Sequence, residues 1–166
     1  FHNAFSHNHS IGFSGGSDKA TYRASFGYNT TNNTAKGNSQ TAYTINLNVS
    51  ATPWKNLSIT AGLAGSVTKT KAFAGNDPFE YASSTNRAIG CFDEEGERMF
   101  YQHSNGYLFN VLNELEQSGN ENTKNTLNST LNIRWRLTDW LTYQSNFSYN
   151  TASANGFTYY TEQSNH

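Results

Sequence analysis

The chain has 166 residues, of which 11 are basic and 12 are acidic. Because the charges nearly balance, the composition shows neither the excess of basic residues typical of nucleic-acid-binding proteins nor a polybasic membrane-binding patch. Only 35% of the residues are hydrophobic, yet 14% are aromatic. This composition is poor for a soluble core but typical of a transmembrane β-barrel, which needs apolar residues only at alternate strand positions. No run of about 18 apolar residues is present, which excludes a transmembrane helix.

Four strands are predicted in the N-terminal part of the chain, each with apolar residues at alternate positions. They are expected at about 8–16, 21–29, 41–51 and 57–67. The turns between them at 17–20 and 52–56 are short, whereas the connection at 30–40 is long, polar and rich in Asn and Thr.

A segment of different character follows at roughly 71–123 and holds most of the acidic residues. The alternation of apolar and polar residues stops there. Apolar residues between 108 and 115 recur at helical spacing, and Ser118-Gly119 closes that pattern. A short helix is therefore predicted inside a long loop.

The clearest strand comes after this loop. One register, from Leu127 to Leu137, holds Leu, Ile, Trp and one Ser, while the other holds Asn, Thr, Arg134 and Arg136. Because successive side chains of a strand point to opposite faces, this strand has one apolar and one polar face. A short turn at 138–140 leads to a sixth strand at about 141–149.

Short turns at one end of the strands and long loops at the other are typical of bacterial outer-membrane barrels, whose long loops lie outside the cell. Trp54 and Trp140 both fall at short turns, where an interfacial aromatic girdle is expected. Six strands leave two unpaired edges, which a membrane does not tolerate. The predicted fold class is therefore all-β: about six antiparallel up-and-down strands that form a partial slice of a large transmembrane barrel.

The polar register of the last two strands is expected to line the barrel lumen or to contact a domain that plugs it. Its members are Asn128, Asn132, Arg134, Arg136, Gln144 and Asn146. The first residues lack the basic head and apolar stretch of a signal peptide, so the chain is expected to begin inside a longer protein. An eight-stranded barrel is the alternative if two further strands are present, and residues 157–160 could begin another strand.

Several motifs resemble SusC-like (SusC/RagA family) TonB-dependent outer-membrane transporters. Their first barrel hairpin resembles HSIGFSGGSDKATY from His9, continued by ASFGY from Ala24. Their long extracellular loop resembles NDPFEYA at 76–82, NRAI at 86–89, FDEEG at 92–96 and FNVLNEL at 109–115. Their periplasmic turn resembles LTDWL at 137–141.

The resemblance implies a barrel of about 22 strands, plugged by an N-terminal domain, in the outer membrane of a Gram-negative bacterium. Such proteins import glycans or other large nutrients together with a SusD-like surface lipoprotein and are driven by TonB. On this expectation residues 1–166 are a partial barrel domain, with a long extracellular loop at about 71–123 and without the plug. The expected partners are the lipoprotein, TonB through parts absent here, outer-membrane lipid and the nutrient, with no nucleic acid.

No catalytic residue, cofactor or metal site is predicted, and the chain is not expected to be an enzyme. His7 and His9 share one side of a strand but have no third ligand at a suitable spacing. The acidic residues at 93–97 lack the alternate-residue spacing of a calcium loop.

Residues of the long loop are the candidate contacts for a sugar ligand, because sugar rings stack on aromatic faces while amide and guanidinium groups bind hydroxyls. They are Phe79, Tyr81, Asn86, Arg87, Phe100 and Tyr101. The alternative role is packing of the loop against itself or against the lipoprotein.

Two other functions remain open. One is a small outer-membrane barrel or porin without TonB coupling. The other is a soluble carbohydrate-binding β-sandwich, which would fold and stay monomeric in buffer without detergent.

Overall fold

The computed structural model of the chain describes residues 3–35, 37–75, 77–86, 88–102 and 106–164. Its elements in chain order are β1 (Phe5–Ser17), β2 (Ala20–Asn32), β3 (Ser39–Trp54), β4 (Leu57–Ala72), α1 (Pro78–Ser84), β5 (Tyr101–Gln102), β6 (Leu108–Phe109), α2 (Val111–Gln117), β7 (Ser118–Arg136) and β8 (Thr142–Tyr160). Six long strands form one antiparallel sheet in the order β1-β2-β3-β4-β7-β8, and β5 pairs with β6 separately. The predicted all-β antiparallel architecture is confirmed.

Polar side chains form hydrogen bonds at each of the three short turns at one end of the sheet. The Ser17 hydroxyl accepts a hydrogen bond from the backbone N–H of Lys19 between β1 and β2. In the turn between β3 and β4, Asn56 donates its side-chain amide to the carbonyl of Arg136 at 3.0 Å. Between β7 and β8, the Thr138 hydroxyl accepts from the N–H of Leu141 at 3.1 Å.

The strands extend further toward the long loops than predicted. The long loop occupies 73–117, not 71–123, because β7 already begins at Ser118 and pairs with β4 up to Ala72. The added part of β7 is polar, and Lys71 forms an ion pair there with Glu121 at 2.8 Å. Backbone hydrogen bonds hold this end of the ladder, so it needs no apolar alternation.

The alternative that residues 157–160 begin another strand is wrong. These residues are the last part of β8, in which Phe157 pairs with Glu121 and Tyr159 pairs with Gly119. The register of β8 with β7 runs without interruption from Thr142 to Tyr160.

Two short helices lie in the long loop, where one was predicted. The expected helix is α2, which begins after the N-cap Asn110 because Leu108 belongs to β6. The unpredicted helix α1 begins after Asp77, whose carboxylate accepts from the N–H of Phe79 at 2.8 Å, and it carries Pro78 in its first turn. Both helices have seven residues and are too short to span a membrane.

The six strands are registered so that their apolar positions fall on one face of the sheet. Leu63, for example, pairs with Leu47 on one side, and Leu131 pairs with Phe147. We call this the apolar face; its apolar members are Phe5, Ile11, Phe13, Ala20, Tyr22, Ala24, Phe26, Tyr28, Tyr43, Ile45, Leu47, Val49, Ala51, Trp54, Leu57, Ile59, Ala61, Leu63, Val67, Leu127, Leu131, Ile133, Trp135, Tyr143, Phe147, Tyr149, Phe157 and Tyr159. The opposite side, the polar face, consists mainly of Ser, Thr, Asn, Gly and Arg.

No second layer covers the apolar face in the described part of the chain. Phe13 is 61% exposed, Phe147 58% and Ile45 53%. Among the described residues the buried hydrophobic ones are Ala35, Leu57, Ala74 and Val111. Burial is therefore concentrated in the loops, and the sheet itself is a two-sided layer without a core of its own.

Candidate binding site in the long loop

A cavity of about 470 Å³ lies between the two loop helices and the segment that follows α1. Its lining residues are Ala35, Pro78, Tyr81, Ala82, Thr85, Asn86, Ile89, Cys91, Phe92, Val111, Leu112 and Leu115. The volume is within the range of small-molecule sites, about 300–1,000 Å³, which are also mostly apolar.

Asn110 is the residue that holds the two sides of this cavity together. Its side-chain amide donates to the carbonyl of Cys91 at 3.0 Å and to the carbonyl of Met99 at 2.7 Å. Its Oδ1 accepts from the N–H groups of Leu112 and Asn113 and so caps α2. Asn110 is only 3% exposed, and all these bonds are therefore protected from water.

A second set of buried polar groups ties α2 to the ends of the long strands. Asn113 donates to the carbonyl of Gln163 at 2.9 Å, and the Ser164 hydroxyl donates to Glu114 at 2.6 Å. The Ser118 hydroxyl lies within hydrogen-bond distance of two carbonyls, that of Glu114 at 2.6 Å and that of Ala74 at 3.3 Å. The loop is thus anchored at its start, at its end and to the segment after β8.

The acidic segment beyond Phe92 forms its own compact turn. Asp93 accepts from the N–H groups of Glu95 at 3.0 Å and Glu97 at 2.7 Å. Arg98 follows and forms an ion pair with Glu116 of α2. Asp93 therefore stabilises the turn, and no group of three or more potential metal ligands is present among the described residues.

The structure brings two of the six predicted ligand-contact residues together at the cavity. Tyr81 and Asn86 both line it, and the ring of Tyr81 packs against Phe109 with centroids 5.5 Å apart. The Asn86 carboxamide oxygen accepts from the N–H of Ala88 at 3.0 Å.

Three of the other predicted contacts lie outside the cavity lining. Phe79 is on α1 but 51% exposed and outside the cavity lining. Phe100 is 39% exposed, and Tyr101, in β5, donates its hydroxyl to the sulfur of Met99. Arg87 lies outside the described residues. Sequence spacing placed these residues in one loop but could not show which of them share a surface.

The sequence pattern did not indicate that apolar residues of α2 would line a cavity. Val111, Leu112 and Leu115 were recognised only as a helical repeat. They line the cavity because α2 packs across from α1 and the segment containing Ile89 and Phe92. The signal was present, since a helical apolar stripe inside a polar loop must cover something apolar.

Few polar groups line the cavity. Its polar groups are the Tyr81 hydroxyl, the Thr85 hydroxyl and the Asn86 amide, and Cys91 is the remaining titratable group of the lining. Neither a carboxylate nor an imidazole belongs to the described lining.

The six residues predicted to face the lumen do share one face of the sheet. Asn132 pairs with Asn146 and Arg134 pairs with Gln144 in the β7–β8 register. Asn128 and Arg136 lie at other even positions of β7 and project to the same side.

No protein-family model matches this chain, and a search of curated proteins gives no match. The geometry of the sheet and of the loop is therefore the basis for the functional argument that follows.

Proposed function

We propose that this chain is a slice of an outer-membrane β-barrel and belongs to a TonB-dependent importer of glycans or other large nutrients. The main support for this proposal is the apolar face. It continues across all six strands and holds no Asp, Glu, Lys or Arg between the levels of Leu57 and Val67. An exposed and uncharged face of this extent is suited to lipid.

The height of the apolar face supports contact with a bilayer. Leu57 and Val67 are ten residues apart on β4, which corresponds to about 33 Å along a strand at roughly 3.3 Å per residue. With the tilt of about 40° that is usual in outer-membrane barrels, the band is about 25 Å tall, the thickness expected of their apolar belt.

Aromatic residues border this band at both ends. On the long-loop side the rings of Tyr28 and Tyr43 lie 5.2 Å apart. On the short-turn side lie Trp54, Trp135 and Tyr143, which are 64%, 42% and 51% exposed. Amphipathic rings at both rims are favoured at the two membrane–water interfaces.

The rival functions account for less of this arrangement. A soluble sandwich would place a second sheet over the apolar face, and the described residues contain none. A small porin without TonB coupling would have the same lipid-facing surface, and the sequence motifs of the first hairpin, the long loop and the turn at 137–141 favour the importer over it. The anchored loop would then lie at the extracellular mouth, with its cavity available to a nutrient or to the SusD-like lipoprotein.

The membrane assignment is tested with two neighbouring cysteine variants, Phe147→Cys on the apolar face and Asn146→Cys on the polar face. Each is made in a Cys91→Ser background, labelled with an environment-sensitive fluorophore and refolded into phospholipid vesicles. We expect a blue shift of the emission at position 147 only, because only that side chain contacts lipid. Equal spectra at the two positions would contradict the assignment of faces.

The importer assignment needs a separate test, which is the DNA sequence that flanks the coding region. A reading frame that continues upstream into a plug domain, with a gene for a SusD-like lipoprotein downstream, would support it. A start and a stop codon that bound these 166 residues would favour a small barrel or a soluble binding module.

A further inference from the structure

The polar face carries positive charge without compensating negative charge. Arg23, Lys124, Arg134 and Arg136 lie on it, and the described residues of the six long strands place no Asp or Glu on that side. The ion pairs of the described chain, Lys71–Glu121 and Arg98–Glu116, lie off this face.

Two of these cations, Arg134 and Arg136, lie at the short-turn end of the polar face near a third cation, Lys55 of the β3–β4 turn. Lys55, Arg134 and Arg136 line a cleft of about 240 Å³ together with hydroxyl groups such as that of Ser58. Asp139, in the neighbouring turn, makes no ion pair with any of them. Guanidinium groups bind carboxylates and sulfates through paired charge-assisted hydrogen bonds, so this cleft is complementary to an acidic group.

The side chains around the cleft indicate which class of anion it would bind. Amide side chains such as Asn48, Asn132 and Gln144 and many hydroxyls cover the rest of the face, and these groups match the hydroxyls of a sugar.

We propose that the polar face binds an anionic oligosaccharide and that Lys55, Arg134 and Arg136 receive its carboxylate or sulfate groups. The proposal rests on the proposed function, because it takes the polar face to be the aqueous side of a membrane-embedded sheet. It narrows the imported nutrient from glycans in general to acidic ones.

Binding is measured with the full chain refolded in a neutral detergent, which covers the apolar face. The probes are fluorescently labelled oligogalacturonate, which carries carboxylates, and dextran sulfate, which carries sulfates; a neutral malto-oligosaccharide of matched length is the reference. The variant is Arg134→Gln/Arg136→Gln. The control is Lys69→Gln, which removes a cation from the opposite register of β4.

We expect at least one acidic probe to bind, with an affinity that falls as salt is added. The double variant should weaken that binding by about tenfold or more, because two charge-assisted contacts are lost. Lys69→Gln should leave it nearly unchanged. Which acidic probe binds more tightly distinguishes carboxylate from sulfate as the preferred group.

Three results would overturn the proposal: no binding of either acidic probe, equally tight binding of the neutral probe, or the same loss in Lys69→Gln as in the double variant. Far-ultraviolet circular dichroism of each variant confirms that the sheet is retained. Vesicle flotation of the same proteins reports on the membrane assignment alone, so failure of that assignment is distinguished from failure of anion binding.

Discussion

At the scale of single residues, two glycines on the polar register of β1 meet different surroundings. A Cβ atom built on Gly16 would lie 2.4 Å from the carbonyl oxygen of Ala20 and 2.8 Å from the Cα of Thr21. At Gly12 the nearest atom is the carbonyl oxygen of Ala24, at an ordinary contact distance of 3.7 Å. The first turn therefore requires glycine at position 16 for space, while position 12 admits a larger residue.

Gly16→Ala should lower the free energy of unfolding by about 1–3 kcal/mol, as expected when a methyl group is forced against backbone. Gly12→Ala should be neutral or slightly stabilising, because alanine restricts the unfolded chain more than glycine does. Urea unfolding of the detergent-refolded chain measures both. Equal midpoints for the two variants would show that the turn opens without strain.

The structural role of Asn110 could not be predicted from the sequence pattern. Asn-rich segments occur throughout this chain, and only the structure distinguishes the buried Asn110 from exposed asparagines such as Asn122. In Asn110→Ala the carbonyls of Cys91 and Met99 lose the bonds from the Asn110 amide, the Cys91 carbonyl keeps only the bond from the N–H of Met99, and α2 loses its N-cap.

We expect Asn110→Ala to open the loop, with Cys91 reacting with maleimide at least about tenfold faster, since an unsatisfied buried group costs roughly 1–3 kcal/mol. Limited proteolysis should cut between 88 and 102 more rapidly as well. Asn122→Ala is the control and should leave both rates unchanged. Unchanged labelling in both variants would mean that the loop is held by its other contacts.

At the scale of elements, alternate side chains of β7 lie on the apolar and the polar face of the sheet. Leu131 pairs with Ala61 and Phe147 on the apolar face, whereas its neighbour Asn132 pairs with Thr60 and Asn146 on the polar face. One step along the chain thus changes the environment of a side chain from the proposed lipid to the proposed lumen.

Leu131→Arg should destabilise the chain refolded in lipid vesicles by roughly 2–4 kcal/mol, the cost of a cation near the bilayer midplane. Asn132→Arg should cost little, because that position is exposed on a face that already holds arginines. The measurement is denaturant unfolding in vesicles. Equal costs at the two positions would refute the assignment of faces.

At the scale of the whole molecule, the sheet has two free edges. β1 and β8 each pair with one neighbour, whereas β2, β3, β4 and β7 pair on both sides. Free edges expose backbone donors and acceptors, which a membrane requires to be satisfied.

Hydrogen exchange of the detergent-refolded chain should therefore be slowest in β3 and β4 and fast at every second amide of β1 and β8. The reason is that outward-pointing amides of the edge strands have no ladder partner. Strong protection along both edge strands would show that other strands cover them, as in an oligomer or a closed barrel.

The sequence predicted the short-turn ends of the strands better than their long-loop ends. Near the turns, alternation of apolar and polar residues continues almost to the last residue, as in β7 up to Trp135 and Arg136. Toward the long loop the residues 118–124 are nearly all polar, so periodicity loses its signal while backbone pairing continues. Helix α1 was missed because seven residues with a capping Asp77 and Pro78 give too short a repeat to detect.

By itself the sequence determined that each strand has one apolar and one polar face, because alternation is a local property of a strand. It also determined where the short turns lie. Only the tertiary structure decided that the registers align into one continuous apolar face, that Arg134 and Arg136 share a cleft with Lys55, and that Tyr81 and Asn86 line one cavity. These depend on hydrogen bonds and packing between segments far apart in the chain, which no local pattern encodes.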